Sequence, residues 1–400
     1  MKTTDIPAEF ERMRSLEDDE VRGAVLSLLD DPAFRKVVKS VVKGVPIWVH
    51  KLYTRRFKTV NSFQLGMICP FLIRILKNAT TGFTNDLSAL PDGRQDFIFL
   101  SNHRDIVLDS AFLDYILILS GKKSVEIAIG NNLLIHPWIE TLVRLNRSFI
   151  VNRSATATEL LESSRQLSRY IRFVIEEKKS PVWLAQREGR AKDSDDRTQK
   201  SVLKMLAMSG PDDMSLSERL QSLHICPLTI SYEYDPCDYL KAAEFQLKRD
   251  NPEWKKTKAD DVKSMATGLM GYKGRIRYTF TSELNGVFDQ YPWINDRNAQ
   301  VNCVCETIDN MLHEAMVLYP INYVAYDLKY QTDRYKNQKM YTEADKTKAA
   351  AYLNGQLAKV DIPNRDETFL WDMLLTMYSN PVFNKEKLSR ERDTNYVPMT

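Results

Sequence analysis

The residues best suited to chemistry lie in the stretch Asp96-Phe-Ile-Phe-Leu-Ser-Asn-His103-Arg-Asp105-Ile-Val-Leu-Asp109-Ser. An apolar run leads straight into Asn102 and His103, and two carboxylates follow within two helical turns. A histidine at the end of a buried strand can act as a general base, because its unperturbed pKa lies near ~6.5. A carboxylate beside it fixes the ring tautomer and stabilises the protonated form. The proton it takes depends on what the rest of the chain brings to the same place.

Three further stretches carry polar residues next to apolar runs. They are Arg144-Leu-Asn-Arg-Ser-Phe-Ile-Val-Asn-Arg153-Ser, Trp183-Leu-Ala-Gln-Arg-Glu188-Gly-Arg190-Ala-Lys192 and Ile225-Cys-Pro-Leu-Thr-Ile-Ser-Tyr-Glu233. In order and spacing, the four stretches resemble the blocks of the glycerolipid acyltransferase family, which includes the glycerol-3-phosphate and lysophosphatidic acid acyltransferases. Those blocks read N-H-x-x-x-x-D, then G-x-x-F-I-x-R, then E-G-x-R at a strand end, then an apolar strand around V-P. Asn102-His103, Ile150-Val151 with Arg153, Glu188-Gly189-Arg190 and Cys226-Pro227 stand in those places. The resemblance covers about Phe97 to Glu233, under half of the chain. Three departures stand out. Leu108 occupies the position of the family's acid, Arg147 stands where the second block usually has glycine, and Arg190 follows its glycine without a spacer. Asp109, reached through one extra residue in the turn, is preferred over Asp105 as the orienting acid.

The resemblance implies a division of labour. His103 would take a proton from a hydroxyl or amine as it attacks an acyl thioester, and Asp109 or Asp105 would orient the ring. Arg153 and Arg190 would bind a phosphate or carboxylate headgroup bidentately. Gly189 would let backbone approach the ligand, and Glu188 would orient the arginines or a substrate hydroxyl. Asn102 and Arg104, which flank the histidine, join the same substrate-binding set. The cosubstrate would be acyl-CoA or an acyl-acyl carrier protein, with no cofactor. His136 and His224 read as structural. His313-Glu314 lacks the second histidine of a zinc hydrolase motif, so no metal is expected.

The elements that must position these residues alternate. Phe97–Leu100, Val125–Ile129, Ser148–Val151, Val182–Ala185, Leu223–Tyr234 and Arg275–Thr281 read as strands. Helical stretches at about 108–119, after Pro137, at 155–177 and at 199–208 separate the first five. This pattern predicts an α/β fold with a mostly parallel sheet flanked by helices, its functional residues at the carboxyl ends of strands. Lys241 to Lys273 reads as an inserted helical excursion. Beyond Thr281, helices are expected at 298–318, 342–359 and 366–379, and the last twenty residues are expected to be poorly ordered. The divisions expected are residues 1–90, a helical N-terminal region; 91–330, the α/β domain; and 331–400, a helical extension and tail.

Composition narrows the setting. A net charge of +3 and the lack of a recognition motif argue against a nucleic-acid partner. Five cysteines without a C-x-x-C pair fit free thiols in a reducing compartment. The N-terminus shows no signal-peptide core. The longest apolar stretch, about Phe63 to Leu76, falls short of the roughly 18 to 20 residues needed to span a bilayer. Charge is distributed unevenly, however. No Asp or Glu occurs from Pro32 to Asn85, while ten lysines and arginines do. Phe34, Val37, Val38, Val41, Val42 and Val45 recur at helical spacing, with Arg35, Lys36, Lys39 and Lys43 opposite. Residues of this kind, followed by Trp48, Tyr53 and Phe57, predict an amphipathic segment on an anionic membrane surface. A cytoplasmic protein, peripheral on the inner face of the membrane, is the expected setting. Two other functions fit the same residues: an N-acyltransferase for an amino acid or amino lipid, and a non-catalytic lipid-binding scaffold.

Overall fold

A computed structural model describes residues 5–41, 45–152, 156–285 and 296–395. Strand β2, Ile98–Ser101, is buried along its whole length. Ile98 and Leu100 enter one core and Phe97 and Phe99 the other, so the strand is covered on both faces. Such a strand must be apolar throughout, which is why the run before His103 is so strong a signal. Strands β5 (Val182–Ala185) and β6 (Ile225–Tyr232) flank it in parallel, with Ile98 opposite both Val182 and Ile225.

Outward from β5 lie β3 (Glu126–Gly130) and β4 (Ser148–Val151); outward from β6 lie β7 (Gly274–Phe280) and β1 (Thr80–Asp86). The seven-stranded order is β1-β7-β6-β2-β5-β3-β4, and every pairing is parallel except β6 with β7. The fold is thus α/β with a mostly parallel sheet. The chain leaves β2 toward β3 on one side and later returns to β6 on the other. A crevice opens at such a switch point, outside the carboxyl ends of the strands. Strand β1 adds to the six strands expected. Its sequence, Thr-Thr-Gly-Phe-Thr-Asn-Asp, is too polar to announce a strand, but an edge position tolerates it.

Helices cover both faces. On one side the helices Ala157–Glu176, Lys200–Leu206 and Arg297–Ala315 supply Tyr170, Ile171, Leu203, Val304 and Ile308 to the first core. On the other, α5 (Cys69–Ala79) and α6 (Leu108–Leu119) supply Leu72, Ile75, Phe112 and Ile116 to the second. Residues 6–31 form a 3₁₀ turn, Ala8–Phe10, and α1, Val21–Asp30. The basic tract folds as α2 (Pro32–Val41), α3 (Ile47–Thr54), α4 (Val60–Phe63) and a π-helical turn, Gln64–Ile68, running into α5. Gln64 is buried there and donates to Asp114 Oδ2 (3.2 Å) and Asn146 Oδ1 (3.1 Å) while accepting from Ser124 Oγ (2.8 Å). Among the described residues no helix is long and apolar enough to cross a membrane.

The excursion after β6 consists of two helices, Asp238–Asp250 and Lys258–Met270. Of the last twenty residues, expected to be poorly ordered, 381–395 are helical and the final five lie outside the described residues. The C-terminal helix runs from Glu367 to Asn395, straight through Pro381. Proline removes one backbone hydrogen bond, and here packing outweighs that loss. Leu374, Tyr378 and Val382 are buried in a third core with Val324, Leu353 and Tyr234.

Candidate active site

Asn102 locks the end of β2 to β6. Its Oδ1 accepts from Ile230 N (2.8 Å), and its Nδ2 donates to Ile230 O (3.0 Å). This seam delivers His103 just beyond the carboxyl edge of the sheet. His103 Nδ1 lies 2.8 Å from Asp109 Oδ2, at the first turn of α6. The same oxygen accepts from the backbone N–H of Arg104 (2.6 Å) and of Asp105 (3.0 Å). An ionised carboxylate only accepts, so Nδ1 carries the hydrogen and Nε2 is left as the acceptor. The indole of Trp183, from β5, meets the imidazole edge-on with centroids 5.6 Å apart. Trp183 Nε1 is itself fixed by Ser101 Oγ at 3.0 Å.

Asp105 does different work. Its Oδ1 accepts from the N–H groups of Val107 and Leu108, both at 2.9 Å, and so caps the start of α6. The helix Lys258–Met270 presses on it through Gly268, where a Cβ would stand 2.2 Å from Asp105 Oδ2. Burial pushes the Asp105 carboxyl above its ordinary range, and the charge of Asp109 adds to the effect. No hydrogen bond joins Asp105 to His103 among the described residues, whereas Asp109 lies within hydrogen-bond reach of the ring.

A cleft of about 560 Å³ opens in front of His103. Asn132 and Leu133 wall it beyond β3, Arg187 to Arg190 with Lys192 and Asp193 beyond β5, and Lys241, Glu244, Lys248, Lys256 and Asp261 between β6 and β7. Glu188, Gly189 and Arg190 of the third block all line it. Glu188 and Gly189 are exposed, and Gly189 takes φ +69°, a conformation few side chains tolerate. Glu188 N donates to Gln199 Oε1 at 2.7 Å. Arg190 Nη1 and Arg187 Nε are buried with no hydrogen-bond partner among the described residues. Burial opposes the charge on Arg190, yet Cys237, Asp235 and Asp105 hold its pKa above the ordinary value. Burial likewise works to raise Asp235, but Lys241 (Nζ to Oδ2, 2.5 Å) and Arg190 keep it below the usual carboxylate range. Lys192 pairs with Glu244, which also meets Lys248 at 3.3 Å.

The other expected site residues fall elsewhere. Arg104 is buried, donating to Ser194 Oγ (2.9 Å) and Asp196 Oδ2 (2.5 Å), and neither it nor Asn102 lines the cleft. Both are occupied in holding the turn. Arg153 lies outside the described residues. Arg147, which replaces the glycine of the second block, adopts φ 57° and donates to Ser180 Oγ at 2.5 Å. His224 Nδ1 meets Glu283 Oε1 at 2.6 Å, and His313 Nε2 meets Asp196 O at 2.9 Å, so both carry structural contacts. Sequence reasoning quoted Arg187 inside the third block without a role, and it missed the lysines of the excursion. Their only signal was a run of charge in a segment with no motif.

Residues 83–231 match the model of a protein family described as Acyltransferase. No curated protein compared with the chain matches it. Among solved structures, the chain is similar to the crystal structure of the 1-acyl-sn-glycerophosphate (LPA) acyltransferase, PlsC, from Thermotoga maritima. The identity is 12% and the TM-score 0.37, over 72% of this chain and 96% of that one.

Proposed function

We propose, from the match of residues 83–231 to the acyltransferase family model, that this protein moves a fatty acyl group from acyl-CoA or an acyl-acyl carrier protein to a glycerol-phosphate or lysophospholipid hydroxyl. The observation that carries this reading is the pairing of His103 with buried Asp109 at 2.8 Å on the edge of a cleft that also holds two arginines with unpartnered buried N–H groups. Nε2 of His103 takes the acceptor's proton as its oxygen attacks the thioester carbonyl. The new C–O bond forms, the C–S bond breaks, and the imidazolium returns the proton to the departing thiolate. Asp109 holds the tautomer and steadies the imidazolium. Arg187 and Arg190 receive the acceptor's anionic group, for which their free N–H donors are suited. The reach of Asp109 to His103 favours catalysis over a non-catalytic lipid-binding scaffold.

In this reading the basic N-terminal tract rests on the cytoplasmic face of an anionic membrane. Phe34 and Val38 pack on the protein, while Trp48, Leu52 and Tyr53 stay exposed among the cations, which supports lipid contact at that part of the tract.

The test is transfer from a labelled acyl thioester to a panel of hydroxyl and amine acceptors, read by product mass. A product from glycerol phosphate or a lysophospholipid, lost in His103→Ala with the fold intact, is the expected result. Full activity in that variant sinks the mechanism, and product from amine acceptors alone transfers the assignment to an N-acyltransferase.

A further inference from the structure

Between Arg187 and Arg197 the cleft wall has neither helix nor strand to hold it. Lys192 and Asp193, which face the cleft, belong to this segment. The C-terminal helix supplies the support from behind. Asn380 Nδ2 donates to Asp193 O at 2.9 Å. One turn on, Asn384 Nδ2 donates to Asp195 Oδ1 (3.1 Å), and its Oδ1 accepts from Arg197 Nη2 (3.1 Å). Asn384 is only 3% exposed and uses both ends of its amide, so the arrangement is specific to this register. A second route leaves the same helix at Tyr378. Its hydroxyl accepts from Asp235 N (2.9 Å) and donates to Asp238 Oδ2 (2.8 Å). Asp235 in turn grips Lys241, whose Nζ reaches Ala191 O at 3.2 Å. Two independent paths thus tie one helix to the 191–197 segment.

We infer that Asn380 and Asn384 are positioning residues for the acceptor: the C-terminal helix fixes the 191–197 wall, and so decides where the anionic headgroup sits relative to His103. This rests on the acyl-transfer reading above. Lys192 and Asp193 line the same cleft as Arg187 and Arg190, to which the acceptor's anionic group is assigned above, so loosening the wall should affect acceptor binding first.

The experiment uses the full chain carrying Asn380→Ala with Asn384→Ala. The acceptor and the thioester are varied separately, and amide hydrogen exchange is followed across 191–197. Removing these bonds raises the acceptor KM about tenfold and leaves the thioester KM within about twofold, while exchange in 191–197 accelerates. Asn380→Gln in the Asn384 background restores most of the acceptor KM because it keeps the donor. An unchanged acceptor KM in a folded variant overturns the proposal, as does a fall in kcat with both KM values intact. If the double variant does not fold, Asn380→Ala alone is judged by the same criteria. If the wild-type chain acylates no acceptor, the reading of function fails. Exchange then decides the clamp by itself: acceleration confined to 191–197 keeps it, and none removes it.

Discussion

Asp105 and Asp109 stand four residues apart and hold different things. Asp109 Oδ2 takes the imidazole N–H together with two backbone N–H groups, whereas Asp105 Oδ1 takes two backbone N–H groups at the start of α6. Substitution by asparagine separates them. In Asp109→Asn the amide no longer stabilises the imidazolium and can favour the wrong tautomer, so kcat should fall about 10²- to 10⁴-fold. Asp105→Asn keeps the capping carbonyl and should remain within about tenfold of wild type. Steady-state kinetics on both variants check this, and equal losses would mean that Asp105 also serves the ring. Much of this site was legible beforehand. A histidine at the end of a fully apolar strand, with acids in the next turn, is a short-range pattern. Asn102 and Arg104 were not legible, because their partners Ile230 and Asp196 lie 128 and 92 positions away. No local pattern distinguishes a polar residue that binds a ligand from one that clasps a distant strand.

Helix α6 carries a second buried acid, and at the scale of elements it reports on how the N-terminal tract is docked. Asp114 Oδ1 accepts from Val125 N at 2.8 Å, and its Oδ2 accepts from Gln64 of the π-helical turn. Burial pushes its pKa up to about 8, against the pull of the Val125 N–H and of Arg147. A raised carboxyl pKa means that the folded state binds a proton that the unfolded chain, with a pKa near 3.9, has released. Between about pH 4 and pH 8 this group's contribution to stability therefore falls as pH rises, and above that window it is flat. Thermal melts across pH 5 to 8 should show a steeper decline for wild type than for Asp114→Asn, and identical slopes would remove Asp114 from the account. The elements themselves were unevenly legible. Strands buried on both faces announce themselves by composition. Strand β1 did not, since an edge strand needs few apolar residues. The end of the C-terminal helix was hidden by Pro381 and a polar sequence, although its buried residues Tyr378 and Val382 hold it in the third core.

For the whole molecule, the basic tract and the cleft must be related if the acceptor is a membrane lipid. The tract is not a loose appendage. Val21, Phe34, Phe57, Phe63 and Leu145 form a core of their own, and Gln64 pins the π-helical turn to α6. What remains outward is apolar as well as cationic: Trp48 is 65% exposed and Leu52 58%, four residues apart on α3, with Leu65 and Ile73 also exposed. Exposed apolar groups at helical spacing beside lysines and arginines are unfavourable in water and favourable at a lipid interface. Burying one such side chain contributes about 1.5–3 kcal/mol, and each cation near an anionic surface about 1 kcal/mol. The two contributions separate by salt. Binding to vesicles containing anionic lipid should weaken as ionic strength rises, because the cationic part is screened beyond about 8 Å at 0.15 M. Trp48→Ala with Leu52→Ala should weaken binding at every salt concentration and leave the slope with salt unchanged. Arg55→Ala with Arg56→Ala should flatten that slope. Cosedimentation with neutral and anionic vesicles measures both, and equal binding to the two vesicle types, or none to either, would refute an electrostatic hold on the membrane.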